Sequence, residues 1–128
     1  MKIINGENAI LGRLASYAAK QALKGEEIVI VNCDKVVITG NRENILRNFK
    51  EKRSKVGNSQ TGPKYSLSEE KIVKRTIRGM LPDHRVGRGK EVLKKIMCYK
   101  GIPKQYEDKK KIAAGKEKGI KLTKLSDL

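Results

Sequence analysis

The sequence predicts an α/β fold built on parallel strands, and three stretches near its start predict it. Residues 2–4, KII, form a short apolar run that Asn5-Gly6 ends, as a strand ends at a turn. Residues 10–25, ILGRLASYAAKQALKG, repeat apolar side chains at Leu11, Leu14, Ala15, Ala18 and Ala22, the spacing of a helix packing one face. Residues 27–31, EIVIV, are mostly a continuous β-branched run, which suits a strand buried on both faces. Strand, helix and strand in that order make a βαβ unit, whose crossover is right-handed and whose strands run parallel.

The remaining elements follow in chain order. Gly25 stands where a left-handed C-terminal cap belongs. KVVITGN at 35–41 resembles another strand, but only Asn32, Cys33 and Asp34 separate it from the previous one. That is too short for a parallel crossover, so the chain turns back, bends or is partly irregular there. Asn41 can cap a helix over 42–54, where Ile45, Leu46 and Phe49 form a narrow apolar stripe. SKVGNSQTGPKYS at 54–66 has almost no apolar content and reads as a long loop. Ser66 and Glu69 fit a capping box that opens a helix through Ile72, Val73, Ile77 and Met80, and Pro82 stops it. A further helix is expected at about 88–95, then a strand at 96–99 closed by Gly101 and Pro103. From 104 onward the chain is Lys-rich with weak periodicity, and is expected to be a basic tail that orders against a partner.

With 128 residues the chain reads as a single domain over 1–128, a core at 1–103 followed by the tail at 104–128. No run approaches the roughly 18 apolar residues of a membrane helix, and MKIINGENAI is too short an apolar stretch for a signal peptide. The expected location is the cytosol. Cys33 and Cys98 are the only cysteines and His84 the only histidine, too few for a zinc site, so two reduced, buried thiols are expected.

Charge is the dominant feature. Thirty Lys and Arg against fourteen Asp and Glu leave a net +16. Residues 1–41 hold 5 basic and 4 acidic groups, whereas residues 42–111 hold 21 and 8. A nearly neutral first third thus precedes a strongly cationic stretch whose self-repulsion an anionic partner relieves. A nucleic acid fits best, because its phosphates can neutralise many such charges with release of counterions. No segment joins a broad apolar face to a basic one, so a membrane surface is not indicated.

Catalytic motifs fail on inspection. A phosphate-binding P-loop through Gly89-Lys90 needs glycine at His84 and a hydroxyl at Glu91. A dinucleotide fingerprint through Gly87 and Gly89 needs glycine at Val92. Asp83-His84 has no nucleophile pattern beside it, and Asp34 has no paired carboxylate. No enzyme activity, no cofactor and no small-molecule substrate are expected.

Aromatic residues are sparse: Tyr17, Phe49, Tyr65, Tyr99 and Tyr106. Tyr17 and Tyr99 fall on elements with core duty, which leaves Tyr65 in the cationic loop as the ring placed to stack on a base. Recognition by phosphate contact and shape remains. Arg75, Arg78, Arg85 and Arg88 cluster around a bend with Gly87 and Gly89, where guanidinium forks grip phosphates and glycines admit close approach of RNA. Solvating charge is normally balanced in sign, and this cluster is not. The expected RNA-binding residues are Arg13, Lys52, Arg53, Lys55, Lys64, Tyr65, Lys74, Arg75, Arg78, His84, Arg85, Arg88 and Lys90.

RGMLP at 78–82, GR at 87–88 and YKG at 99–101 resemble the signature of the large-subunit ribosomal protein L-thirteen family. LGRLAS at 11–16, VIVN at 29–32 and ITGN at 38–41 resemble the same family in the same order, in an archaeal-type member. The resemblance spans about residues 2–103. It implies a three-layer α/β/α sandwich around a mostly parallel four-stranded sheet. It also implies a non-catalytic constituent of the large subunit that binds large-subunit rRNA beside neighbouring ribosomal proteins. Carried onto this chain, its motif positions are Gly12, Arg13, Arg78, Gly79, Met80, Leu81, Pro82, Gly87 and Arg88. The alternative is a chromatin-type basic protein that coats DNA.

Overall fold

A computed structural model describes residues 1–54, 68–114 and 122–127. Strand β1 (Lys2–Asn5), helix α1 (Leu11–Leu23) and strand β2 (Ile28–Val31) form the expected βαβ unit. β1 and β2 are parallel, in register from Lys2 opposite Ile28 to Asn5 opposite Val31. All four residues of β2 are buried, as a central strand with apolar side chains on both faces requires. α1 buries Leu11, Leu14, Ala15, Ala18, Ala19, Gln21 and Ala22, and its alanines let the helix lie close against the sheet. Gly25 has φ of +95°, the left-handed conformation expected at the end of that helix.

The short link after β2 resolves by leaving the sheet. Asn32 adopts φ of +56°, Cys33–Lys35 make a single 3-10 turn, and β3 (Val37–Thr39) then departs. β3 pairs antiparallel with β6 (Leu122–Lys124) in a separate two-stranded ribbon. Asn5 Oδ1 holds the corner by accepting hydrogen bonds from Asn32 Nδ2 at 3.0 Å and from the Glu7 N–H at 3.0 Å.

Helix α2 (Arg42–Ser54) begins as expected: Asn41 Oδ1 accepts from the Glu43 N–H at 2.9 Å. Helix α3 (Glu69–Gly79) starts after Ser68, whose carbonyl accepts the first helical bond, from Ile72. The expected cap, Ser66, and residues 55–66 of the expected 54–66 loop lie outside the described residues. Ile72, Val73 and Ile77 are the buried face of α3, whereas Met80 is exposed. Met80 was expected on that face, but the helix ends at Gly79 and the chain turns before its side chain can point inward. Helix α4 (Gly87–Lys94) and strand β4 (Ile96–Cys98) follow.

β4 pairs parallel with β2, and β5 (Ile112–Ala113) pairs parallel with β1, so the sheet order is β4-β2-β1-β5. The fold is therefore an α/β sandwich on a four-stranded parallel sheet. One face packs Ile4, Ile28, Ile30 and Ile96 against α1, α3 and Val92 of α4. On the other face Ile3, Val29 and Val31 are covered by Tyr99 and Tyr106, whose ring centres lie 5.8 Å apart. Tyr106 comes from a 3-10 turn at Lys104–Tyr106, so this second outer layer is thin.

The basic tail is more integrated than its composition suggests. Ile112–Ala113 supply the fourth strand, Ala114 is buried, and Leu125 is only 1% exposed with its N–H on the Val36 carbonyl. Strands of two and three residues leave no readable period, because each adds to an edge already formed elsewhere in the chain. Cys33 is buried and Cys98 half-buried, both as free thiols. Hydrogen bonding to Cys98, then burial, pushes the Cys33 thiol well above its ordinary range.

Candidate nucleic-acid interface

α3 has two unlike faces, and their contrast builds the site. Ile72, Val73 and Ile77 face the core, while Lys71, Lys74, Arg75 and Arg78 recur at three- and four-residue spacing on another side. Four like-charged pairs at those spacings disfavour the helix by ~0.2–0.5 kcal/mol each, partly offset by the Glu70–Lys74 pair four residues apart. The fold accepts that repulsion because the opposite face is anchored in the core.

α2 lies across from this cationic face. It buries no residue completely; Ile45, Leu46 and Phe49 are half-buried. Between the two helices runs a groove of about 530 Å³. Its floor is apolar: Leu11 of α1, Phe49 of α2, Ile72 of α3 and Leu93 of α4. Its rim carries Lys52 from α2 and Lys71, Lys74, Arg75 and Arg78 from α3, with no acidic residue among the described lining. Beside it, Lys52 Nζ and the Arg53 guanidinium each lie 5.8 Å from the centre of the Phe49 ring, within cation–π range. Arg53 Nε and Nη2 are enclosed and lack a hydrogen-bond partner.

The groove therefore gathers four of the expected residues, Lys52, Lys74, Arg75 and Arg78, and Arg53 stands beside it. It also adds Lys71, which sequence reasoning missed. The signal was present, since Lys71 lies four residues before Arg75 and seven before Arg78. Arg13 is exposed on α1 and does not line the groove. Lys55, Lys64 and Tyr65 lie outside the described residues.

The 80–90 bend is organised differently from its sequence reading. Asp83 Oδ1 accepts from the Arg85 N–H at 3.0 Å, a turn-forming role. Arg85 and Lys90 are exposed and His84 is half-buried. Arg88 Nη2 donates to the Leu23 carbonyl at 2.7 Å. It thus caps the C-terminus of α1, where unsatisfied carbonyls and the helix dipole favour a cation.

Gly89 also serves the fold. A Cβ there would stand 2.3 Å from the Pro82 carbonyl oxygen and 2.4 Å from that of Asp83. The close approach expected toward RNA is at this position an approach of α4 to its own preceding turn. Gly87 has φ of +62° with open space around it, so it meets a backbone requirement of the turn into α4.

A parallel α/β sheet that supports a helical layer with a one-sign groove defines the class as a small basic α/β protein. Residues 1–105 match the family described as ribosomal protein L13, and this chain belongs to that family. It is 47% identical over 116 residues to large ribosomal subunit protein uL13 of Methanocaldococcus jannaschii, covering 88% of this chain and 84% of that one. The protein of the same name from Thermoplasma volcanium is 46% identical over 110 residues, 86% of this chain and 79% of its own. That from Methanosphaera stadtmanae is 37% identical across 98% of this chain and 90% of its own.

Proposed function

We propose that this protein is a structural constituent of the large ribosomal subunit in the cytoplasm, binding and stabilising large-subunit rRNA during assembly and translation without catalysing a reaction. The observation that carries the reading is the α2–α3 groove, with five Lys and Arg on its rim and no acidic residue among the described lining. A surface that gathers charges of one sign favours a polyanion, whose phosphates can neutralise it. Membership of a ribosomal protein family, and relatives named as large-subunit proteins, support the choice of RNA partner and of neighbouring ribosomal proteins.

The end of β1 supports a non-catalytic role. Open parallel sheets take ligands beside the carboxyl ends of strands where the strand order reverses. Here the order reverses beside β1, and Gly6 at its end is overlaid so closely that a Cβ would lie 2.8 Å from Val36 Cγ2. At Gly6 the carboxyl end of β1 is covered by the chain's own Val36.

The test is a titration of the protein against a folded fragment of large-subunit rRNA and against a random duplex at equal salt. The fragment should bind more tightly, well beyond the shared electrostatic component. Equal affinity for both would point instead to a coat protein for DNA.

A further inference from the structure

We infer that the α2–α3 groove holds an unpaired RNA nucleotide, its base against the apolar floor and its phosphate on the cationic rim. The inference rests on the RNA-binding reading and deepens it, because a surface for duplex backbone alone needs no apolar floor.

Four observations favour an extruded nucleotide. The floor mixes buried aliphatic residues, Leu11 and Ile72, with the half-buried Phe49 and Leu93, so it offers an oily slot rather than a polar one. The groove volume of about 530 Å³ lies in the range of small-molecule sites, roughly 300–1,000 Å³. Every charged residue of the described lining is a cation, which complements a group with one apolar flat end and one anionic end. Phe49 adds an aromatic ring over which Lys52 Nζ and the Arg53 guanidinium lie at 5.8 Å, so a base entering the groove meets the ring and its phosphate meets the cations together.

The state of α2 fits the same account. A helix with an apolar stripe but no fully buried residue is half of an interface. A base entering from the α3 side covers Phe49, and Arg53, whose enclosed Nε and Nη2 lack a hydrogen-bond partner, lies alongside it. Base recognition thus falls to a ring that the sequence places in a helix stripe.

The experiment compares a ten-nucleotide adenosine RNA with an abasic ribose-phosphate decamer of equal length and charge, with the folded rRNA fragment as control. The adenosine oligomer should bind about 5- to 150-fold more tightly, the range for stacking one base. Phe49→Ala should bring the two within about 2-fold. Irradiation of wild-type protein with a 4-thiouridine decamer should give adducts on peptides containing Phe49 or Leu93, which tests the site even if the variant folds poorly. Equal binding of both decamers, or adducts only elsewhere, overturns the nucleotide site; retained binding of the rRNA fragment then leaves the broader reading standing. Loss of fragment binding overturns both. Displacement of the RNA by an acidic leucine–glutamate peptide, with no thiouridine adducts in the groove, overturns the inference in favour of a protein partner.

Discussion

Replacing Gly89 with alanine separates a glycine kept for the fold from one kept for RNA. The new Cβ would lie 2.3 and 2.4 Å from two carbonyl oxygens of the Pro82–Asp83 turn. Real Cβ contacts fall no closer than about 3.0 Å, so α4 and the turn must separate by about 0.7 Å. Both opposing atoms are backbone, and no side-chain rotation relieves the clash. Overpacking of this kind costs about 1–3 kcal/mol. Against it stands the gain of about 0.5–1 kcal/mol that alanine normally brings to a helix. The net expectation is a loss of roughly 0–2.5 kcal/mol, centred near about 1 kcal/mol, read as a lower urea midpoint at unchanged slope, with a Tm lower by a few degrees. Gly79→Ala is the matched control, since nothing lies within 4 Å of its Cβ and it borders the groove. That variant should keep or gain stability, and a fall in RNA affinity there would mark a true close approach of RNA backbone. An unfolding curve for Gly89→Ala that overlays the wild type would refute the packing argument.

Other perturbations test the remaining assignments. Arg88→Ala removes the cap on α1 and should lower stability without RNA by about 0.5–1.5 kcal/mol, measured by thermal melting; an unchanged melt would return Arg88 to RNA contact alone. Lys71→Ala and Arg78→Ala should each flatten the slope of log K against log salt by about 0.7–0.9 unit, and a slope equal to wild type would remove that residue from the contact surface. Leu125→Ala should cost about 2–5 kcal/mol in chemical unfolding, and a loss under 0.5 kcal/mol would show that the C-terminal segment does not belong to the core. The raised pKa of Cys33 means that the folded state keeps a proton the unfolded chain gives up. Its contribution should be intact below about pH 8.5 and decline above, by at most ~1.4 kcal/mol per pH unit, and Cys33→Ala should abolish that component of the decline.

Much of the fold is legible in the sequence because it rests on long, regular signals. The βαβ unit follows from an unbroken apolar strand and a helix with one apolar face, and the Asn41 cap and Gly25 terminator follow from local chemistry. The cationic identity of the α3 surface is equally visible, since Lys74, Arg75 and Arg78 recur at helical spacing. Tertiary structure was needed wherever a residue's role depends on a distant partner. Arg88 and Leu23 are 65 positions apart, so nothing local marks that arginine as a helix cap. The same holds for β5 and β6, whose two and three residues become strands only because β1 and β3 offer unpaired edges.

The sequence by itself determined the parallel α/β scaffold and the surplus of positive charge. These depend on periodicity and composition, which survive without coordinates. The tertiary structure alone decided which cations share a groove, what lines its floor, and which glycine and arginine serve the chain itself. Those are questions of distance between elements remote in sequence, and only the packing of α1, α2, α3 and α4 on the sheet sets them.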